Sequence, residues 1–437
     1  MKGFPKDFLW GVSTASAQIE GGYLEDGRTP SIWDVADEKR IKAGENCHVA
    51  CDHYHRYKED VAIMKKLGVK SYRFSLSWSR IIPEEGQINA KGLAFYRSLI
   101  DELTKNGIEP IITLYHWDLP LWIEEKYGGW LNKKIVPLFE EYVKVVVENF
   151  STKVKYWLTF NEPQCFLMNG YITCVHAPFK RVIFRFSRLL RHFMLANKIA
   201  VDTIRKYAKT KPLVGLSFGS GAYIPTDEND PKSVEEARYK SFYKGMGTMN
   251  NRLYFDPVLL GKGVSSYLIY HISDKFAKTV KTDFDFIAIN NYEAFNYSPW
   301  GNGKVDKTSL KTNSLDWVID GRTLYWTSKF IYERYKLPIL ITENGMCDND
   351  QMINGEINDE KRISFINEYI HYVKKAVEDG VPIIGFHYWS LLDNFEWAEG
   401  YTPRFGLVYV DYKTLNRTIK KSGYRYSEII KTNGEDL

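Results

Sequence analysis

Eight short apolar runs recur along the 437 residues, each separated from the next by a longer stretch with helical patterning. They are FLWGVSTAS (8–16), SYRFSLSW (71–78), EPIITLYHW (109–117), YWLTFNEP (156–163), PLVGLSFGS (212–220), FDFIAINNY (284–292), LPILITENG (337–345) and PIIGFHYWSLLD (382–393). These runs are apolar nearly throughout, as strands of a parallel sheet buried on both faces should be. Between them, YKEDVAIMKKLG (57–68) repeats Val61, Met64 and Leu67 at helical spacing, and GLAFYRSLIDELTKNG (92–107) ends in a glycine stop. Right-handed strand–helix crossovers then favour closure, so the chain is read as an α/β protein, a (β/α)8 TIM barrel with extended βα loops. The alternative, an open doubly wound sheet, lacks any strand followed by GxGxxG or a Walker loop. With neither repeats nor a low-complexity linker, residues 1–437 are read as a single domain. The less periodic segments 223–251 and 296–320 are expected to be long loops above the barrel.

Composition narrows the partners. The chain is 44% hydrophobic, and its 59 basic and 54 acidic residues nearly balance, which gives no reason to expect nucleic acid or membrane as a partner. The start, MKGFPKDFLWGV, breaks any leader-like apolar stretch with Pro5, Lys6 and Asp7, and five scattered cysteines do not form a disulfide framework. A reduced, cytoplasmic setting is therefore expected. CHVACDHYH (47–55) fits no standard zinc spacing, so no metal or cofactor is expected; His53 and His55 are read as hydrogen-bonding at a helix start. FKRVIFRFSRLLRHF (179–193) is basic and amphipathic and is read as the outer helix after strand four, with Arg181, Arg185 and Arg188 on its wet face. Oligomeric state stays open, a homo-oligomer included.

In a barrel of this kind the active site lies at the C-terminal ends of the strands. Those ends are polar and aromatic here: Gln18 and Glu20 after the first, Arg73 in the second, His116 and Trp117 on the third, Asn161 and Glu162 on the fourth. Asn290 and Tyr292 follow on the sixth, Glu343 and Asn344 on the seventh, and Trp389 on the eighth. Any one of these could cap a helix or fill a loop. Two carboxylates facing each other across a barrel mouth, among aromatics and amide donors, are the apparatus of glycoside hydrolysis.

The motifs make this specific. FLWGVSTASAQIEGG, CDHYHRYKEDV, YRFSLSWSRI, TLYHWDLP, TFNEP, ITENG and WSLLDNFEWAEGY with RFGLVYVDY, in this order, resemble the glycoside hydrolase family 1 β-glycosidases over almost the whole chain. The resemblance implies a retaining β-glucosidase with Glu162 as general acid/base, Glu343 as nucleophile, and Arg73 and Tyr292 as partners of the nucleophile. The two carboxyls should then lie about 5 to 5.5 Å apart. Arg73 should depress the Glu343 pKa, while an apolar strand and the Glu343 charge should raise that of Glu162. Gln18, His116, Asn161, Asn290, Glu396 and Trp397 match hydrogen-bonding positions of the glycone subsite, with Trp389 as its floor. Trp117, Trp317 and Phe405 are further substrate-binding candidates.

The expected substrate is a β-glucoside or short β-linked oligosaccharide, with broader β-galactosidase or β-fucosidase activity, or transglycosylation, as alternatives. The phospho-glycosidase branch carries a Lys and a Tyr where this chain has Pro403 and Phe405, and lacks the carboxylate of Glu396, so a 6-phosphosugar is not expected here. Thioglucosidase relatives usually replace the acid/base with Gln, and non-catalytic relatives lack one carboxylate; both Glu162 and Glu343 are present. Phe179, Asn291 and His387 depart from the family pattern and are expected to bear on aglycone preference.

Overall fold

All eight apolar runs form strands, and the strands close on one another. The computed structural model describes residues 3–243, 250–266, 269–297 and 307–437. Among these the barrel strands are β1 (Leu9–Ser13), β2 (Ser71–Ser75), β3 (Glu109–Tyr115), β4 (Tyr156–Asn161), β5 (Leu213–Gly219), β6 (Ile287–Asn290), β7 (Ile339–Asn344) and β8 (Ile383–Trp389). Each pairs in parallel with its neighbours in sequence, and β1 pairs with β8 through Leu9–Gly385 to Ser13–Trp389. An outer helix precedes each return to the barrel or ends the chain: α1 (His53–Leu67), α2 (Ala90–Lys105), α3 (Ile135–Phe150), α4 (Phe186–Tyr207), α5 (Asp274–Val280), α6 (Arg322–Tyr335), α7 (Glu360–Glu378) and α8 (Lys421–Thr432). Gly68, at φ 76°, ends α1 in the left-handed conformation that glycine adopts without penalty.

Two expectations need correcting. The segment 223–251 is not simply a loop: Pro231–Tyr243 is a helix, its first residue suited to a helix start. Residues 244–249 and 298–306 of the two expected loops lie outside the described residues. The basic stretch 179–193 becomes α-helical only at Phe186, after a 3-10 turn at Ile183–Arg185; Arg181, Arg185 and Arg188 are exposed, while Phe186, Leu189, Leu190 and Phe193 are buried. His53 opens α1 and bonds Asp60 at 2.7 Å; His55 bonds Asp52 at 2.6 Å. All five cysteines are free thiols.

The barrel interior divides by height. Its lower end is an apolar plug of Ile111, Leu158, Phe286, Ala288 and Leu340. Space for large side chains comes from glycines opposite them: a Cβ on Gly215 would meet the Phe286 ring at 2.5 Å, and one on Gly11 would meet His387 at 2.2 Å. His387 is fully buried; Ser71 Oγ and the Ile341 carbonyl take its ring nitrogens, and burial drives its pKa down to about 3. It is therefore a neutral filler. Above it the interior turns polar, with Ser217, Asn290 and Thr342 hydrogen-bonded among themselves and Thr113 accepting from Arg73. Register shifts occur near the upper ends of β4–β5, β6–β7 and β7–β8, the places where strand bulges can re-aim side chains.

A buried charge network fixes the loops above β7 and β8. Lys420 Nζ donates to Asp393 (2.7 Å) and Asp350 (2.5 Å), Arg362 pairs with Asp350 (2.8 Å) and Asp359 (2.7 Å), and Arg404 pairs with Asp393 (2.7 Å). Three cations meet three carboxylates, so no charge is left uncompensated. Removing one member strands its partners in low dielectric. Lys420→Met is therefore expected to cost about 3–5 kcal/mol in chemical denaturation, whereas Lys153→Met, at the exposed Lys153–Asp101 pair, should cost less than about 1 kcal/mol.

Candidate active site

At the upper end of the barrel a cavity of about 550 Å³ opens between the βα loops. Glu162 reaches it by an unusual backbone. It follows β4 directly, with φ 42°, in the left-handed region that residues with a Cβ rarely occupy. Its N–H donates to the Ser217 carbonyl (2.8 Å), its carbonyl accepts from the Cys165 N–H (2.9 Å), and Pro163 then starts the helix Pro163–Tyr171. Trp117 (φ 76°) and Trp397 (φ 52°), also on the cavity wall, share this strained conformation. Each such residue costs on the order of 1–3 kcal/mol, and strain of this kind concentrates at functional sites.

Glu343, near the end of β7, faces the same cavity. Arg73 donates to its Oε1 and the Tyr292 hydroxyl donates to its Oε2 at 2.8 Å. The same guanidinium donates through Nη2 to Asn161 Oδ1 (2.6 Å) and through Nε to Thr113 Oγ1 (2.8 Å). Asn290 Nδ2 in turn donates to both Asn161 Oδ1 (3.0 Å) and Glu162 Oε1 (2.8 Å). One chain of hydrogen bonds, Glu343–Arg73–Asn161–Asn290–Glu162, thus connects the two carboxyls.

The rest of the wall sorts by polarity. Gln18 donates to Asn394 Oδ1 (3.0 Å), the Phe395 carbonyl (2.7 Å) and Glu396 Oε2 (3.3 Å), leaving its own Oε1 without a protein partner. Asn161 Nδ2 donates to His116 Nε2 (2.9 Å), so His116 carries its hydrogen on Nδ1, which has no protein partner either. Trp389 and Trp397 flank His116 with ring centres at 5.9 Å each, and Trp117 packs on Trp397 at 4.8 Å. Trp317 packs against Tyr292 (5.5 Å) and Phe405 (6.0 Å), in an apolar cluster that also includes Trp389.

The model of the family described as glycosyl hydrolase family 1 matches residues 1–435. The chain belongs to glycosyl hydrolase family 1. It is 40% identical to β-glucosidase A of Thermotoga maritima and to the 1,4-β-D-glucan glucohydrolase of Thermotoga neapolitana, in each case over 99% of both chains. A solved structure of the Thermotoga maritima β-glucosidase with glucoimidazole superposes with a TM-score of 0.90 at 39% identity, over 99% of this chain and 100% of that one.

In this family 1 site burial dominates the electrostatics. It raises the Glu162 carboxyl above its ordinary range, against the hydrogen bonds of Cys165 and Asn290 and the charge of Arg73. It also lifts Glu343 up to about 7: desolvation, reinforced by the Glu162 charge, outweighs Arg73 and Tyr292. Arg73 does lower the Glu343 pKa, as expected, but a fully buried carboxylate loses more hydration than one cation returns, so the net shift is upward. Arg73 and Tyr292, a cation and a phenol aimed at Glu343, favour the negative charge there, whereas at Glu162 desolvation by the apolar wall favours the proton against its neutral donors. Burial and the Glu343 charge push Glu396 up to about 8, and burial keeps His116 neutral.

Not every strand-end residue belongs to this family 1 pocket. Glu20 accepts from Arg80 (3.1 Å) and Tyr96 (2.6 Å) instead, since two positions along the short helix Ser16–Ile19 separate it from Gln18 by more than half a turn. Asn344 follows Glu343 on a strand and so faces the opposite side, donating to the Asn291 carbonyl at 2.7 Å. The three departures from the family pattern also lie off the cavity wall: Asn291 bonds Ser220, Thr323 and Thr327, His387 lies inside the barrel, and Phe179 packs near Trp33. Cys165, Val175, His176, Glu293, Phe295, Leu315 and Glu399 do line the cavity. Apart from Cys165 on the helix Pro163–Tyr171 and Glu399 on the 3-10 turn Trp397–Glu399, they come from loops, where no periodicity marks a residue as inward-facing.

The Glu396 shift has a consequence for stability. A native pKa of about 8 against an ordinary 4.5 means that the folded state holds this proton more tightly than the unfolded chain, so its contribution declines as pH rises through that window. Glu396→Gln removes the titration; by calorimetry the variant should lose less thermal stability than the parent between pH 5 and pH 8.

Proposed function

We propose that this family 1 enzyme is a retaining β-glucosidase that releases terminal non-reducing glucose by double displacement, with Glu343 as nucleophile and Glu162 as acid/base. The observation that carries the reading is the unequal treatment of the two carboxyls. Glu343 receives Arg73 and Tyr292, the donors that suit a charged nucleophile, whereas Glu162 ends an apolar strand and meets only neutral donors. In the first step a Glu343 oxygen bonds to the anomeric carbon as the bond to the aglycone oxygen breaks, and the Glu162 proton passes to that oxygen. The Glu343 charge is then consumed in the ester. Glu162, now ionised, takes a proton from water; the water oxygen bonds to the anomeric carbon and Glu343 leaves as the carboxylate.

The polar side of the pocket is suited to the glycone. Gln18 Oε1 and His116 Nδ1 lack protein partners, Glu396 offers a carboxyl to the 4- and 6-hydroxyls, Asn161 keeps one amide hydrogen for the 2-hydroxyl, and Trp389 supplies a stacking face. Trp397 and Trp117 complete that side. Trp317, Phe405 and Leu315, which share one apolar cluster with Trp389, and Phe295 present mainly rings and alkyl groups to the cavity, which suits an aglycone or second sugar. No lysine or arginine is among the described residues lining the cavity, and with Glu396 in place this disfavours a 6-phosphosugar.

The Thermotoga neapolitana relative's name points to short β-1,4-glucans as substrates, hence a late step of cellulose breakdown. Five free thiols fit a cytoplasmic setting, with the chain working as one catalytic domain.

Two measurements test the chemistry. With an aryl β-glucoside, proton NMR should show β-glucose first; early α-glucose would exclude retention. Glu343→Gly should lower turnover by several orders of magnitude, and azide should restore reaction while giving α-glucosyl azide. The same α-product from azide with Glu162→Ala would exchange the two roles.

A further inference from the structure

Glu293 follows Tyr292 directly and lines the cavity, yet it takes no part in the chemistry described above. Its side chain is only 8% exposed, which a rim carboxylate left to solvent would not be. Its Oε1 accepts from Lys307 Nζ at 2.8 Å and from the backbone N–H of Val318 at 2.9 Å. The same Lys307 Nζ donates to the Asp316 carbonyl at 2.7 Å. The ion pair therefore grips the backbone on both sides of Trp317, one neighbour through the carboxylate and the other through the ammonium.

The turn that presents Trp317 is closed as well. Asn313 Oδ1 accepts from the N–H groups of Leu315 (2.9 Å) and Trp317 (3.1 Å), and the Asn313 N–H donates to the Trp317 carbonyl (3.0 Å). Asp316 sits at φ 58°, a conformation that an unanchored turn would abandon. Asn313 ties the turn to itself. Glu293 ties it to the barrel, one residue from the phenol that donates to Glu343.

We infer that Glu293, through Lys307, is a positioning residue for aglycone recognition: it holds Trp317 against Tyr292 and Phe405 at the mouth of the pocket. The inference rests on the assignment of Trp317 to the aglycone side. The loss of Glu293 would leave Lys307 without its counter-ion and the Val318 N–H without its acceptor, and so free the indole, while Glu162, Glu343 and the glycone contacts keep their own hydrogen bonds. The effect then belongs to substrates that carry a sizeable aglycone.

Two substrates separate the outcomes: p-nitrophenyl β-glucoside, which presents a ring to Trp317, and β-glucosyl fluoride, whose leaving group is a single atom. Turnover of both by the parent enzyme tests the glucosidase reading on its own; failure there rejects that reading before any variant is compared. Glu293→Ala should raise KM for the nitrophenyl substrate about ten-fold with kcat little changed, and leave KM for the fluoride unaltered. Glu293→Gln keeps an acceptor for Val318 and should recover much of the loss. Trp317→Ala should reproduce the defect, and the double variant Glu293→Ala/Trp317→Ala should add little to either, because both act through one side chain. Equal losses on the two substrates would place Glu293 in the service of Tyr292 and overturn the inference. So would an unchanged KM for both, or additive losses in the double variant.

Discussion

A single guanidinium organises the mouth of this barrel. Arg73 is fully buried and divides its donors among Thr113 on β3, Asn161 on β4 and Glu343 on β7. A buried cation is tolerable only if paired and hydrogen-bonded, and the pairing here requires that three strands from different parts of the chain converge on one point. The acceptors are polar groups the reaction also needs. Structural satisfaction and catalytic orientation are thus the same set of contacts, and no strand carrying them can shift register without exposing a charge to a low-dielectric interior.

Around that cation the pocket is held under opposing demands. Glu343 and Glu396 are pushed up to about 7 and 8 by burial that also makes their hydrogen bonds directional and dry. Asp118, behind the wall, is likewise lifted to about 8, with only Ser16 Oγ donating to its side chain at 2.8 Å. All three are raised by the poor solvation of the closed barrel, and two of them, Glu343 and Glu396, line the pocket. A sugar that brings hydroxyls to these groups restores what water would have provided. The left-handed backbone at Glu162, Trp117 and Trp397 adds to the same picture of a pocket arranged for its occupant at the expense of local comfort.

The strands were readable because burial on both faces leaves a nearly continuous apolar run, and the order of strand and helix then admits few topologies. Glu162 stood out because it ends such a run. Side-chain direction was harder: Glu20 and Asn344 look no different in sequence from Gln18 and Glu343, and only the turn of Ser16–Ile19 and the alternation along β7 separate pairs that face the cavity from those that face Arg80 or Asn291. Loop residues were not readable at all. Glu293 and Glu399 gain their places from tertiary contacts with Lys307 and Lys42, which local pattern does not encode. The net Glu343 pKa is not legible for a related reason: the lowering by Arg73 can be read from the residues, but the extent of desolvation is a property of the closed barrel.

Closure itself has a temporal meaning. The partner of β1 is β8, so residues 9–13 have no second neighbour until residues 385–389 exist. A chain growing on a ribosome therefore carries an open sheet edge for most of its synthesis, and its longest-range pairing forms last. Burial is what raises the carboxyls of Glu162 and Glu343, so the reactive character of the pair depends on that last pairing, of residues 9–13 with 385–389, closing the barrel around them.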